Sequence, residues 1–184
     1  MEKILILGAS GFIGSNLYKE LCNYFDTYGT YHTGKIYSDN KHYIRFDMET
    51  DDVYELLLRV RPSIIISALR GDFDLLIETH RRICEYAVKA KSKIVFLSSA
   101  NVFDAFSNYP SYEFDKTLSE SKYGKLKIKI ENMLMRLPER LWVIARLPMV
   151  YGKNCPRIKE LRSSIANKQP YEVFPDLVMN VTHI

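Results

Sequence analysis

Residues 4–17 read ILILGASGFIGSNL. A short apolar run is followed by Gly8, Gly11 and Gly14 and then by an amphipathic pattern, which together read as strand, tight turn and helix. Each glycine has a physical use there. Gly8 permits the tight turn, Gly11 leaves the backbone bare to an approaching pyrophosphate, and Gly14 lets helix and strand pack closely. The same glycines would also serve a strand-to-helix turn that holds no ligand. Their spacing, G-x-x-G-x-x-G, differs from the G-x-G-x-x-G of the ordinary dinucleotide fingerprint.

The rest of the chain repeats the alternation. Residues 63–68 (SIIISA), 94–97 (IVFL) and 142–145 (WVIA) are short apolar runs without polar alternation, as expected of parallel strands covered on both faces. Residues 26–31 and 43–46 are weaker strand candidates. Helical spacing of apolar residues marks 12–23, 52–59, 74–90 and 121–137, with Leu126, Ile130, Met133, Leu134 and Leu137 on one stripe of the last. Strand alternating with helix predicts an α/β chain of the Rossmann type, a doubly wound parallel sheet with helices on both faces. Residues 1–152 form the expected dinucleotide-binding domain. From 153 to 184 the pattern weakens to one helix and one or two short extended pieces.

Composition narrows the classes. The 184 residues are 47% hydrophobic, enough for one sizeable core, and the net charge of +4 comes without basic blocks interleaved with aromatics. That argues for anionic small molecules or an ordinary solvated surface, not for nucleic acid. Cys22, Cys84 and Cys155 are odd in number and far apart, so neither a disulfide framework nor a metal site is expected. No apolar run reaches the roughly 18 residues of a membrane span. A soluble, cytoplasmic protein without a membrane partner is the expectation.

A reactive pair lies in SKYGKLK, residues 121–127, where Tyr123 and Lys127 are four apart and therefore neighbours on a helix. An ammonium beside a phenol favours the phenolate, which suits proton exchange with an alcohol or ketone. Lys122, Lys125, Lys127 and Lys129 would equally make the wet side of a helix. Ser98 and Ser99 end the strand of FLSSANVF, at the edge where open parallel sheets bind ligands. A serine there can orient a reacting oxygen, or simply cap the following turn.

With these motifs in order, the sequence resembles the extended short-chain dehydrogenase/reductases, the group of nucleotide-sugar epimerases, dehydratases and dTDP-4-dehydrorhamnose reductases. The resemblance rests on GASGFIG, SSANVF, YGKLK and RLPMVYG. It implies Ser99, Tyr123 and Lys127 as catalytic residues, and Gly8, Ser10, Gly11, Phe12, Ile13 and Gly14 around the pyrophosphate. Asp47 and Met48 would meet adenine. Ala68 and Leu69 would run along the ribose and phosphates, and Pro148 to Val150 would face the nicotinamide. Two departures stand out: LLIETHRR lacks the asparagine common in the family, and Ser98-Ser99-Ala100-Asn101 replaces the Ser-Thr-Asp-Tyr of the reductase subgroup.

Cofactor choice turns on GTYHTGK, residues 29–35, which carries no acid to hold a ribose 2′-hydroxyl. His32 and Lys35 are placed to receive a 2′-phosphate, so NADP is expected, with NAD the alternative; a plain polar loop would look the same. The implied function is an NAD(P)-dependent oxidoreductase acting on a nucleotide-diphosphate sugar, foremost a 4-keto-sugar reductase. A nucleotide-sugar epimerase or dehydratase would use the same triad, and a regulatory protein that binds the dinucleotide without turnover is the rival class. The family's chains run on for roughly another hundred residues. The resemblance therefore implies that the C-terminal substrate lobe is largely absent here, unless a second copy in a homodimer supplies the wall.

Overall fold

The computed structural model describes residues 1–34, 37, 39–106, 110–172 and 180–184. Two compact units divide the chain, Met1–Leu147 and Pro148–Ile184.

The first unit alternates strand and helix: β1 (Lys3–Leu7), α1 (Phe12–Leu21), β2 (Asp26–Tyr31), β3 (Tyr43–Arg45), α2 (Val53–Val60), β4 (Ile64–Ser67), α3 (Phe73–Ala90), β5 (Lys93–Ser99), α4 (Lys122–Leu134) and β6 (Trp142–Leu147). Its six strands lie in the order β3-β2-β1-β4-β5-β6, and every pairing is parallel. The chain builds outward from β1 to β3, then returns to place β4 on the other side of β1. The order thus reverses between β1 and β4, and ligands bind beyond the carboxyl ends of strands at such a reversal. This is the Rossmann-type sheet expected of the alternating pattern.

Strand residues divide by parity. Leu5, Leu7, Ile65 and Phe96 pack with Leu57, Ile83, Ala87, Ile130 and Leu134 in one core, which joins the sheet to α2, α3 and α4. Ile4, Ile6 and Ile66 face the other way, against Leu17, Tyr18 and Leu21 of α1. Successive strand side chains point to opposite faces, so two cores are the direct result of apolar residues at consecutive positions.

Helix ends follow local chemistry. Asp52 and Asp72 cap α2 and α3 by accepting backbone N–H bonds, and Ser121 caps α4 through Gly124 N. The α4 helix stops at Leu134, short of the expected residue 137, because Leu137 precedes Pro138 and a residue before proline avoids the helical region. Leu137 still packs on the core from the following turn.

The second unit holds β7 (Met149–Tyr151), α5 (Pro156–Ala166) and β8 (Val181–His183), with β7 and β8 paired in parallel. Pro156 opens α5 at a position where its missing N–H costs nothing.

Candidate active site

The turn after β1 is held from β2. Gly8 takes φ +86°, a conformation side chains resist, and its N–H donates to Thr30 Oγ1 at 2.8 Å. A methyl group on Gly14 would overlap the Gly8 carbonyl oxygen, so the helix can begin only where that residue is bare. A methyl on Gly11 would meet nothing closer than the Gly8 oxygen at 3.3 Å, so its open side is free. Gly11 is also the N-cap of α1, and no side chain bonds the first N–H groups of that helix. Bare backbone and unclaimed donors suit a phosphate, so the turn fits a dinucleotide.

An open groove runs from this turn. Gly8, Ser10, Gly11, His32, Asp47, Met48, Ala68 and Leu69, all expected at the site, line it together. Phe12 and Ile13 sit in the first turn of α1 and Gly14 is buried behind it; none of the three is part of the lining. Pro148 and Val150 belong to the second unit, and Lys35 lies outside the described residues. The lining includes residues the sequence reading passed over, among them Thr30, Arg70 and Asp72. A signal for Arg70 existed: it follows directly on the carboxyl end of the SIIISA strand, where the fold places ligands.

His32 and Asp47 are joined, with Nε2 and Oδ2 3.1 Å apart, and Arg45 approaches the same oxygen at 3.5 Å. Asp47 Oδ1 accepts the Glu49 N–H, and this bond, followed by His32 and Arg45, holds the carboxyl below its ordinary range. The imidazole expected to meet a 2′-phosphate thus already has an acidic neighbour.

At the end of β5, Ser98 and Ser99 take different tasks. Ser98 Oγ donates to Glu131, a carboxylate with no exposed surface that also receives Arg146 at 2.9 Å. Ser99 Oγ donates to Asn101 Oδ1 at 2.9 Å and accepts the Asn101 N–H, capping a 3-10 turn over Ala100–Phe103. The α4 lysines also separate. Lys122, Lys125 and Lys129 are exposed, whereas Lys127 is 6% exposed. Its ammonium donates to the Leu97 carbonyl at 2.9 Å and lies 4.6 Å from the centroid of Phe96 and 5.5 Å from that of Tyr123.

Electrostatics correct one expectation. Burial raises the Tyr123 phenol above its usual value, against the opposing influences of the Arg70 charge and the nearby Ser99 hydroxyl. The lowered phenol expected from the helix neighbour Lys127 is therefore not found. Burial, reinforced by Arg70 and opposed by Glu131, lowers Lys127 to about 8. Beneath the pair, His80 occupies the helix stretch that lacks the family asparagine. Its Nδ1–H donates to Leu76 O at 2.6 Å and its Nε2 accepts from Ser67. Burial holds this imidazole down at about 4, hence neutral.

A parallel sheet carries a bare glycine turn at its reversal, and a serine, a tyrosine and a buried lysine stand at the next strand end, an arrangement of the Rossmann type. Residues 4–181 match the profile of the NAD dependent epimerase/dehydratase family, and the chain belongs to that family. No curated protein sequence matches it. Among solved structures, it is similar to MoeE5 in complex with UDP-glucose and NAD, at 23% identity and TM-score 0.78 over 98% of this chain and 67% of that one. It is similar to the Bordetella bronchiseptica enzyme WbmG in complex with NAD and UDP, at 19% identity and TM-score 0.79, covering 98% and 64%. It also resembles the dTDP-4-dehydrorhamnose reductase of Bacillus anthracis in complex with NADP, at 22% identity and TM-score 0.69, covering 92% and 61%. The chain thus spans about two thirds of the length of these proteins.

Proposed function

We propose that this chain is the cofactor-binding part of an NAD(P)-dependent oxidoreductase acting on a nucleotide-linked sugar, foremost as a 4-keto-sugar reductase. The observation that carries the reading is the selective burial of Lys127. Of the four lysines at 122–129 it alone is withdrawn from water, one turn from Tyr123, with Ser99 beside the phenol. A bound nicotinamide would supply the hydride donor or acceptor. Tyr123, protonated at neutral pH as an ordinary phenol is, is suited to donate a proton to a carbonyl oxygen; Ser99 is suited to orient that oxygen. Lys127 would hold ribose hydroxyls and supply positive charge as the phenol ionises. Free Cys22, Cys84 and Cys155 support a cytoplasmic setting. No described helix is long and apolar enough to cross a membrane.

The family description supports a second reading, an epimerase or dehydratase with the same three residues. The two differ in whether reduced cofactor is consumed. Incubation of keto-sugar nucleotides with NADPH or NADH, and of hydroxyl-bearing sugar nucleotides with NAD+ or NADP+, tests both. Loss of the reduced nicotinamide's absorbance marks the reductase; conversion of the sugar without net change in reduced cofactor marks the epimerase or dehydratase. Tyr123→Phe should keep cofactor affinity and slow turnover by about 100-fold to 10,000-fold. Equal rates in parent and variant would make Tyr123 structural and end the reading.

A further inference from the structure

Past the end of β5 the chain departs at Asp104 and comes back at Leu118, whose N–H donates to Val102 O at 2.8 Å. Ser99 is the N-cap of the intervening 3-10 turn and Asp104 is its C-cap. The Asp104 carboxylate then gathers the returning chain. Its Oδ2 accepts the hydroxyls of Ser119 at 2.9 Å and Ser121 at 2.6 Å, and its Oδ1 accepts the Glu120 N–H at 2.7 Å. Burial acts against ionisation there, yet the bonds from Ser121, Glu120 and Ser119 together hold the carboxyl below its ordinary range, so it is an anion at neutral pH.

The Ser121 bond bears on the helix. Ser121 is the N-cap of α4, and its Oγ accepts the Gly124 N–H at 3.0 Å. A serine hydroxyl has one proton to give. Because that proton goes to Asp104, the Ser121 oxygen faces the helix as an acceptor. Tyr123 is the second residue of α4, between the cap and the N–H that the cap holds. A methyl group on Gly124 would overlap Asn101 O and Ser119 Oγ, so the first turn of α4 rests directly on the turn that Ser99 begins. One carboxylate therefore joins the turn capped by Ser99 to the helix end that carries Tyr123.

We propose that Asp104 is a positioning residue for the reaction: through Ser121 and Ser119 it fixes where the Tyr123 phenol stands relative to Ser99. This rests on the roles proposed above for Ser99 and Tyr123. Without the carboxylate the Ser121 hydroxyl is free to turn, the cap on Gly124 weakens, and the phenol drifts from the reacting oxygen. Asp104 is not among the described residues that line the cofactor groove, so the loss falls on the chemical step and not on binding. A misplacement of about 1 Å costs on the order of 100-fold in rate.

Two measurements on the full chain test this. Fluorine NMR of the fluorotyrosine-labelled protein reads the phenol directly, the Tyr123 signal being the one absent from Tyr123→Phe. Asp104→Ala is expected to shift or broaden that signal while those of Tyr54 and Tyr86, which pack edge to face between α2 and α3, stay in place. Turnover of whichever sugar nucleotide the parent converts should fall about 100-fold in kcat, with KM and calorimetric ADP affinity within about twofold of the parent. Asp104→Asn keeps one acceptor oxygen and should restore part of both readings. Ser121→Ala should slow turnover as Asp104→Ala does, and the double variant should lose far less than the product of the two. An unmoved Tyr123 signal in Asp104→Ala, or an unchanged kcat, would overturn the proposal and leave the functional reading intact. Losses of ADP affinity or rises in KM as large as the fall in kcat would make Asp104 a general support of the fold and overturn it as well. Multiplicative losses in the double variant would separate Asp104 from Ser121, with the same result. If Asp104→Ala does not fold, Asp104→Asn and Ser121→Ala decide, and parent-like values in both overturn the proposal. A parent that converts no sugar nucleotide would overturn the functional reading, and the proposal with it.

Discussion

At the scale of single residues, the glycine turn separates structural from ligand-facing demands. Gly14 is enclosed, since a methyl group there would overlap Gly8, whereas Gly11 has only one neighbour at 3.3 Å. Gly14→Ala should therefore lose roughly 1–3 kcal/mol of stability through overpacking. Gly11→Ala should lose under about 1 kcal/mol, mainly through a poorer cap. For binding, the larger Gly11→Leu should keep the fold but block the approach of a pyrophosphate. Chemical unfolding and calorimetry with NADPH check the two sides. A Gly14→Ala protein as stable as the parent, or a Gly11→Leu protein with undiminished affinity, would contradict this division.

At the scale of elements, α4 is fastened to the sheet by charge as well as by Leu126, Ile130 and Leu134. Glu131 is fully buried, accepts Ser98 of β5, and pairs with Arg146 of β6, whose Nη1 donates to the Glu113 carbonyl. Removing one partner of a buried pair strands the other charge, so Glu131→Gln should destabilise by about 3–5 kcal/mol. Replacing both with apolar residues, Glu131→Leu with Arg146→Met, should be milder than Glu131→Gln alone. Denaturant unfolding of the single and double variants decides; a double variant worse than the single would show that the pair itself stabilises the fold. This network also marks the limit of what the sequence discloses. Apolar runs and the glycine spacing disclose the strands, the parallel sheet and the turn, because they act over a few neighbouring residues. Which lysine of KYGKLKIK is buried depends on how α4 meets β5, a contact between distant segments. The same holds for Ser98, equivalent to Ser99 in the sequence yet committed to Glu131, and for the Tyr123 phenol, which burial raises against Arg70 and Ser99.

At the scale of the molecule, the described core is unevenly shared. Every buried apolar residue except Cys155 lies within Met1–Leu147, and so do the groove, Ser99, Tyr123 and Lys127. The first unit carries its own two-sided core and its own helix caps, so it should fold without the second. Residues 1–147, produced alone, are expected to unfold cooperatively and to bind ADP with the affinity of the 184-residue chain. NADPH separates the remaining possibility. Should Pro148 and Val150 meet the nicotinamide as the family resemblance implies, the shortened protein will bind NADPH more weakly than the full chain while ADP affinity stays level. Equal affinity for both ligands in both proteins would place the nicotinamide contacts within the first unit and remove Pro148 and Val150 from the site. Failure of residues 1–147 to fold would show that the two units are stabilised as one.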